Sequence, residues 1–467
     1  MIRRAVSTLD QRTGAGSILG KALKYVFPDH WTFLFGEIAL YSFVILVGTG
    51  IYLTLFFEPS TSQVVYHGSY APLRGQEISK AYESALDLSF NVRAGLLFRQ
   101  VHHWAALTFV AAIVVHLMRI FFTGAFRKPR DVNYYVGLTM LILAVLEGYV
   151  GYSLLDDLLS GMGLAIGNAV ALSVPVVGGQ LGTLIWGGRF PGTDDFFARL
   201  FFLHVFLFPV LIGGLMALHL ALVARPHHTQ FRGRRQREGN VIGTPMWPAY
   251  ALRSIGLFAA VAAVLFALGG LVQINPIWQW GPYHLYLGTN GAQPDWYLGW
   301  LIGALRLMPH FDVVIGDYTL IPNPFWGGVL FPAAVFGFLY LWPTIERRWT
   351  GDRRVHNLLD RPRDNPTRTA IGAAVFTFVA TIFFAGAADR AFVQFGVTYQ
   401  AQLWGYRAVT IFMPIVVFFL TRAVCRHLRD GGGHPMRDSG ARLVERPREV
   451  AQAGRRDPPR SAPPVRR

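Results

Sequence analysis

Two apolar stretches of this chain each carry a pair of histidines. The first runs from Arg99-Gln100-Val101-His102-His103-Trp104 to His116, and the second runs from Arg199-Leu200-Phe201-Phe202-Leu203-His204 to His219. Imidazole is polar, and placing it in hydrocarbon is unfavourable unless it finds a partner. Neutral imidazole is a good ligand for heme iron, so a bound metal removes that penalty.

The spacing of the pairs favours ligation. At about 100° per residue, the 14-residue step from His102 to His116 returns to within about 40° of the same helix face. The 15-residue step from His204 to His219 returns to within about 60°. His103 is predicted to point about 140° away from His116. A lone histidine is more often a satisfied polar residue of a helical bundle, but two in-phase pairs predict two stacked hemes, bound by His102 with His204 and by His116 with His219.

Glycines repeat with the same period. Gly36 and Gly50 lie 14 residues apart in one apolar stretch, and Gly137 and Gly151 lie 14 residues apart in another. Glycine lets a flat macrocycle approach a helix backbone closely, although small residues also serve ordinary helix packing in membranes. Together with the histidines, the glycines indicate a four-helix bundle that surrounds two hemes.

Several polar residues accompany these helices. Arg99, Arg119 and Arg199 could pair with heme propionates or extend to lipid headgroups. Glu147 lies inside an apolar stretch, where a carboxylate is a functional candidate without an assigned role. Pro209 should kink its helix and help the 15-residue pair match the 14-residue pair.

The composition is that of a polytopic membrane protein. The 467 residues are 52% hydrophobic and 15% charged, with a mean hydropathy of +0.35. The single cysteine, Cys425, excludes an intrachain disulfide, a Cys-x-x-Cys-His heme attachment and an iron–sulfur cluster held by this chain alone. We expect an all-α fold with eight membrane spans, at about 35–57, 99–124, 134–155, 196–224, 250–274, 323–343, 369–389 and 405–425.

The net charge of +16 follows the predicted topology, which argues against nucleic-acid binding. Lys and Arg collect in alternate loops, so the positive-inside rule predicts a membrane protein with both termini in the cytoplasm and basic loops facing membrane lipid. His102 and His204 then lie near the outer surface. We divide the chain into a cytoplasmic arm (1–30), the diheme bundle (31–225), a C-terminal four-helix region (226–425) and a disordered basic tail (426–467).

An external loop contains Pro294-Asp295-Trp296-Tyr297. A carboxylate beside an aromatic, apolar surface can accept a proton. The alternative is that Asp295 caps the helix that follows it, since Asp is a favoured N-cap residue.

These motifs together resemble the cytochrome b subunits of quinol:cytochrome c oxidoreductases and their chloroplast bf relatives. The resemblance covers roughly residues 30–425. It rests on Arg99-x-x-His102, His116-x-x-Arg119, Gly151-Tyr152-Ser153-Leu154, Ser173-Val174-Pro175-Val176-Val177-Gly178, Trp186-Gly187-Gly188, Arg199 to His204 with Pro209, and Pro294-Asp295-Trp296-Tyr297.

The chain departs from that family at three places. Asp295 stands where the family usually has Glu, which resembles the menaquinol-oxidising actinobacterial members. Leu155-Asp156 replaces Pro-Trp, which alters the pocket wall. Ala224 stands five residues after His219 in place of a histidine, so the ligands of the cytoplasmic-side quinone cannot be carried over.

The resemblance implies bifurcated oxidation of menaquinol near the outer surface. Asp295 would accept a proton, and Tyr297, Tyr152, Pro294 and Trp296 would shape the pocket. Implied cofactors are two noncovalent b-type hemes, and implied partners are a Rieske iron–sulfur protein, a c-type cytochrome, a terminal oxidase and a second copy of the complex. The alternatives are a non-bifurcating diheme membrane anchor and a transporter with a histidine proton relay.

Overall fold

The fold consists of long apolar helices with short strands outside them. The structure, a computed structural model, describes residues 15–188, 190–192, 194–287, 293–430 and 444–447. Eight helical segments within these residues are long and apolar enough to cross a membrane, which confirms the predicted fold class. They are Trp31–Thr54, Gly95–Thr123, Asp131–Ser153, Asp195–Ala224, Met246–Leu271, Trp326–Thr350, Pro366–Ala385 and Tyr399–Asp430.

The α-helices of the described residues are numbered in chain order. They are α1 (Ala15–Leu23), α2 (Leu34–Thr54), α3 (Lys80–Phe90), α4 (Gly95–Thr123), α5 (Asp131–Ser153), α6 (Leu158–Leu172), α7 (Gly178–Trp186), α8 (Asp194–Phe202), α9 (Phe208–Ala224), α10 (Ala251–Leu271), α11 (Ile277–Trp280), α12 (Trp296–Leu307), α13 (Phe331–Thr350), α14 (Pro366–Ala385), α15 (Ala388–Phe395) and α16 (Tyr399–Asp430). Five-residue π-helical turns at Leu203–Leu207, Met246–Tyr250 and Trp326–Leu330 precede α9, α10 and α13. Short 3-10 helices lie at Trp31–Phe33, Ala71–Leu73 and Pro362–Asp364.

Short strands connect the ends of the helices. They are β1 (Val26–Phe27), β2 (Gln63–Val65), β3 (Glu77–Ser79), β4 (Gln230–Phe231), β5 (Asn240–Pro245), β6 (Val313–Ile315), β7 (Tyr318–Ile321), β8 (Leu358–Leu359) and β9 (Val444–Pro447). The pairs β1–β5, β2–β3, β5–β9 and β6–β7 are antiparallel, and β4–β8 is parallel. Strand β9 departs from the disordered tail predicted for 426–467. Helix α16 also continues to Asp430, and the rest of that tail lies outside the described residues.

Local sequence sets several helix boundaries. Ser79 caps α3 by accepting a hydrogen bond from the backbone N–H of Tyr82, and Asp157 caps α6 in the same way from Ser160. Gly124 ends α4 with a φ of 66°, a left-handed conformation that glycine adopts without steric penalty. The loop after the third span contains the helices α6 and α7.

The N-terminal spans share one apolar core. Ala39, Phe109, Leu141 and Ile212 come from α2, α4, α5 and α9, and the buried Tyr297 of α12 packs with them. This arrangement matches the predicted four-helix bundle and places α12 against it. Outside the core, many large apolar side chains are exposed, as expected for helices whose solvent is lipid.

A buried ion cluster joins the ends of α13 and α14. Arg368 is only 2% exposed, and its Nε donates to both carboxylate oxygens of Glu346 at 3.0 and 3.1 Å. Its Nη2 also donates to Asp360 at 2.9 Å, and Arg127 contacts the same Asp360 carboxylate at 3.0 Å. A buried charge is tolerated only when paired in this way, so the cluster fixes four chain segments against one another.

We expect Arg368→Ala to lower the free energy of unfolding by about 3–5 kcal/mol, because it leaves the buried Glu346 carboxylate without its partner. Thermal unfolding of the purified protein in detergent measures the change. Arg354→Ala is the matched control, since Arg354 is 83% exposed and pairs with Asp352 at the surface. Equal midpoints for the two variants would contradict the assigned importance of the cluster.

Candidate functional site

The four predicted histidines form two facing pairs. Helix α4 carries His102 and His116, the π-helical turn carries His204, and α9 carries His219. The ring centroids of His102 and His204 lie 6.0 Å apart with an interplanar angle of 78°. Those of His116 and His219 lie 6.4 Å apart at 71°. The structure therefore brings together the same two pairs that the spacing predicts.

Each separation fits one metal ion held by both rings. A metal–nitrogen bond of about 2 Å on each side, added to the distance from each nitrogen to its ring centre, gives a centroid separation of roughly 6 Å. Among the described residues, no group of three or more His, Cys, Asp or Glu side chains could hold a bare metal ion. Two axial imidazoles suffice where a macrocycle supplies the remaining ligands, so the donor set fits heme.

The four predicted glycines lie against the four histidines, one against each. A Cβ built on Gly36 would lie 3.3 Å from Cε1 of His116, and one on Gly50 would lie 3.3 Å from Cε1 of His102. A Cβ on Gly137 would lie 3.7 Å from Cε1 of His219. A Cβ on Gly151 would overlap the His204 ring. Glycine on α2 and α5 thus makes room for the imidazoles and for the space between them.

Polar side chains orient the histidines of the pair His102–His204. Thr49 Oγ1 lies 2.9 Å from Nδ1 of His102, and Glu147 Oε1 lies 2.9 Å from Nδ1 of His204. A partner at Nδ1 fixes the ring orientation and leaves Nε2 available as a ligand. The buried Glu147 carboxylate, to which the sequence assigns no role, therefore lies directly beside the His204 ring.

The π-helical turn Leu203–Leu207 explains why one pair is spaced by 15 residues and the other by 14. A π-turn contains one more residue than an α-helical turn. Pro209 has no N–H to donate and its ring clashes with the preceding turn, which disrupts the α-helical hydrogen-bonding pattern just before it. With this extra residue, His204 faces His102 and His219 faces His116. This is the match between the 15-residue and 14-residue pairs to which Pro209 was expected to contribute.

The three arginines differ in what they contact. Arg99 is 8% exposed and donates from Nη1 to the Asn275 carbonyl at 3.1 Å, while its Nε and Nη2 have no partner among the described residues. Arg119 lies over the Phe33 ring, and its Nε is likewise unpartnered among those residues. Such buried donors fit an anionic group. Arg199 is exposed and donates to the Leu184 carbonyl. It therefore does not point toward the pair His102–His204, contrary to the expectation that it lies beside a heme.

The Asp295 carboxylate lies in a pocket that the sequence only partly predicted. Nε2 of His103 lies 2.7 Å from Oδ1, and the Tyr297 hydroxyl donates to Oδ2 at 3.0 Å. Asp295 precedes α12 but makes no side-chain cap hydrogen bond, so the capping interpretation is not realised. His103 and Asp295 side chains are each 14% exposed. The helical periodicity predicts that His103 points away from the face of α4 that carries His102 and His116. In the structure, its ring is directed toward Asp295.

Further aromatic residues enclose this pocket. The Tyr152 hydroxyl lies against Gly163 of α6, and the Tyr149 hydroxyl donates to the Gly163 carbonyl at 3.2 Å. Tyr297 lies against Gly148 of α5, where a side chain would overlap its ring. Trp296 is 36% exposed, and the neighbouring Pro294 is half-buried. Tyr149 was missed by sequence reasoning, although it lies one helical turn before Ser153 in a quoted motif.

The fold and these histidine pairs define a helical membrane protein of the heme-binding electron-transfer class. A family model described as "Cytochrome b(N-terminal)/b6/petB" matches residues 107–282. The chain is 48% identical to the cytochrome bc1 complex cytochrome b subunit of Mycobacterium leprae and 49% identical to that of Mycobacterium tuberculosis, over 91% of this chain and 77% of each relative. The subunit of Streptomyces coelicolor is 44% identical over 91% of this chain and 78% of its own.

A solved structure titled "Hyperthermophilic respiratory Complex III" superposes with a TM-score of 0.64 at 20% identity, covering 90% of this chain and all of that one, which supports the fold. The chain belongs to the family of cytochrome b subunits of the cytochrome bc1 complex, a quinol:cytochrome c oxidoreductase. It is a multi-pass membrane protein of the class that binds b-type heme and interacts with quinone.

We expect Gly151→Ala to destabilise the protein by about 1–3 kcal/mol and to lower its heme content, because the new methyl group overlaps the His204 ring. Thermal unfolding and the reduced-minus-oxidised absorption spectrum measure the two effects. Gly137→Ala is the matched control, since its Cβ would lie 3.7 Å from His219, an ordinary contact distance. A fully heme-loaded Gly151→Ala variant would show that His204 is placed differently.

Proposed function

We propose that this chain oxidises menaquinol near the outer membrane face and divides the two electrons between two acceptors. One acceptor is a Rieske iron–sulfur protein, and the other is the pair of b-type hemes, which leads across the membrane to a quinone site on the cytoplasmic side. The arrangement of Asp295 between His103 and Tyr297 is the observation that carries the proposal. It combines a proton acceptor with a pocket directly beside the first pair of histidines.

Proton removal is the part of this reaction that the chain's own residues perform. A quinol releases two protons with its two electrons, and a carboxylate within hydrogen-bonding distance of the quinol hydroxyl can accept one of them. The two oxygens of Asp295 are occupied by His103 and Tyr297. A quinol hydroxyl that enters the pocket would replace one of these contacts, while the other keeps the carboxylate in place.

The location of the pocket supports transfer toward the histidine pair His102–His204. His103 contacts Asp295, and its neighbour His102 faces His204. The bound hemes would supply one-electron carriers at two depths, held by His102 with His204 and by His116 with His219. Arg99 and Arg119 have buried, unpartnered N–H groups that could bind the heme propionates, whereas the contacts of Arg199 do not favour that role.

The partners follow from what the chain lacks. Its one cysteine cannot hold an iron–sulfur cluster or attach a c-type heme, so a Rieske protein and a c-type cytochrome must supply those groups. A terminal oxidase, a second copy of the complex and membrane lipid complete the proposed assembly. The basic loops favour an orientation with both termini in the cytoplasm of a bacterial cell, and Asp295 in place of the family's Glu favours menaquinol as the substrate.

The diheme assignment predicts a different spectrum for each ligand variant. His102→Ala and His219→Ala should each remove one of two b-heme components from a potentiometric titration followed by absorption, because each deletes one axial ligand. His103→Ala is the matched control and should retain both components. A titration with one component in the unmodified protein would contradict the proposal.

Asp295→Asn should lower quinol:cytochrome c reductase activity by about 100-fold or more, because an amide cannot accept the quinol proton. The heme spectrum should remain unchanged. Asp295→Glu is the control and should retain most activity, since it keeps a carboxylate at this position. Unchanged activity and pH dependence in Asp295→Asn would contradict the assignment of Asp295 as the proton acceptor of a quinol site. That result would favour a non-bifurcating heme anchor.

A further inference from the structure

Two adjacent carboxylates, Asp156 and Asp157, lie in the short connection between α5 and α6. Asp157 is fully buried, and its Oδ1 accepts a hydrogen bond from the backbone N–H of Ser160 at 3.3 Å. Its Oδ2 is buried and has no hydrogen-bond partner within the described part of the chain. Capping α6 needs only one of the two oxygens, so the second is available for another interaction.

The backbone and the side chain of the neighbouring Asp156 are both fixed by local contacts. Its φ is 51°, and its backbone carbonyl accepts a hydrogen bond from Tyr283 N–H at 3.1 Å. The Ser79 side chain is hydrogen-bonded to its carboxylate. Asp156 is half-buried, whereas Asp157 is fully buried, so the two residues form a step from the interior toward the surface.

Burial and the neighbouring titratable groups determine the pH range over which these two carboxylates are charged. Arg99 of α4, Tyr82 of α3 and Tyr152 of α5 lie within electrostatic range of Asp157. Tyr283 and Asp157 act on Asp156. Burial raises the pKa of Asp157 to about 6 and that of Asp156 to about 7. Both carboxyl groups can therefore gain and lose a proton near neutral pH.

Tyr152 links this pair to the quinol pocket. It lies within electrostatic range of both Asp295 and Asp157, and its hydroxyl contacts Gly163 on the helix that Asp157 caps. Tyr297, the hydrogen-bonding partner of Asp295, also interacts electrostatically with Tyr152. The titratable groups thus follow one another from Asp295 through Tyr152 to Asp157 and Asp156.

We propose that Asp157 and Asp156 carry protons released by quinol oxidation from the Asp295 pocket to the outer surface. The proposal rests on the proposed function of that pocket. Each quinol yields a quinone, two electrons for the redox partners and two protons. The proton that Asp295 accepts passes to the free Oδ2 side of Asp157, then to Asp156 and to bulk water, and every carboxylate is regenerated.

Asparagine variants separate this function from a structural one. Asn is as good an N-cap residue as Asp and also tolerates a positive φ, so Asp157→Asn and Asp156→Asn keep the helix cap and the turn while removing the proton-accepting oxygen. Asp157→Ser is a second variant that can also cap α6. Asp317→Asn, at an exposed loop position, is the matched control.

The readout is the quinol:cytochrome c reductase rate of the assembled complex as a function of pH, with the heme spectrum as a check of assembly. The unmodified complex should slow as the pH falls through about 7 and 6, because the carboxylates become protonated and stop accepting protons. We expect both Asn variants and Asp157→Ser to be about tenfold slower at pH 7.5 and to lose that pH dependence. Asp317→Asn should behave as the unmodified complex does.

The outcomes distinguish this proposal from the proposed function. Unmodified rates and pH profiles in the Asp156 and Asp157 variants, beside a slow Asp295→Asn variant, would overturn the relay and leave the quinol pocket in place. Full activity in Asp295→Asn would overturn both. A slow Asp157→Asn with an unchanged pH profile would show a structural role and would also overturn the relay.

Discussion

The structure depends on placing four imidazoles in an apolar membrane interior. Each ring brings a polar nitrogen into a region without water, where an unsatisfied polar group is strongly unfavourable. Facing pairs at 6.0 and 6.4 Å between ring centroids allow one metal ion to satisfy two rings at once. The positions of α2, α4, α5 and α9 all follow from this requirement.

Three kinds of neighbouring residue allow the helices to bring the four histidines into facing pairs. Gly36, Gly50, Gly137 and Gly151 provide space beside the rings because they have no side chain. The π-turn before Pro209 adds one residue, so two helices with different spacing present histidines at matching depths. Thr49 and Glu147 contact the Nδ1 atoms of one pair and fix the ring orientation.

Asp295 contacts α4 through His103, on a different side of the helix from His102 and His116. Adjacent residues on a helix point in different directions, so His102 faces His204 whereas His103 contacts Asp295. In the proposed function, this placement would put proton acceptance next to the first electron carrier. Asp157 and Asp156 extend the same sequence of titratable groups through the loop between α5 and α6.

The sequence alone determined the eight spans, the two histidine pairs and the four glycines, because hydrophobic length and helical periodicity are local properties. It also identified Asp295, through a motif. It could not identify His103 as a partner of Asp295 or Glu147 as the partner of His204, because each of these contacts joins segments far apart in the chain. It grouped Arg199 with Arg99 and Arg119 as a candidate partner of heme propionates, whereas the Arg199 side chain is exposed in the fold. Tertiary packing alone decided these contacts, since it sets how the helices are rotated against one another.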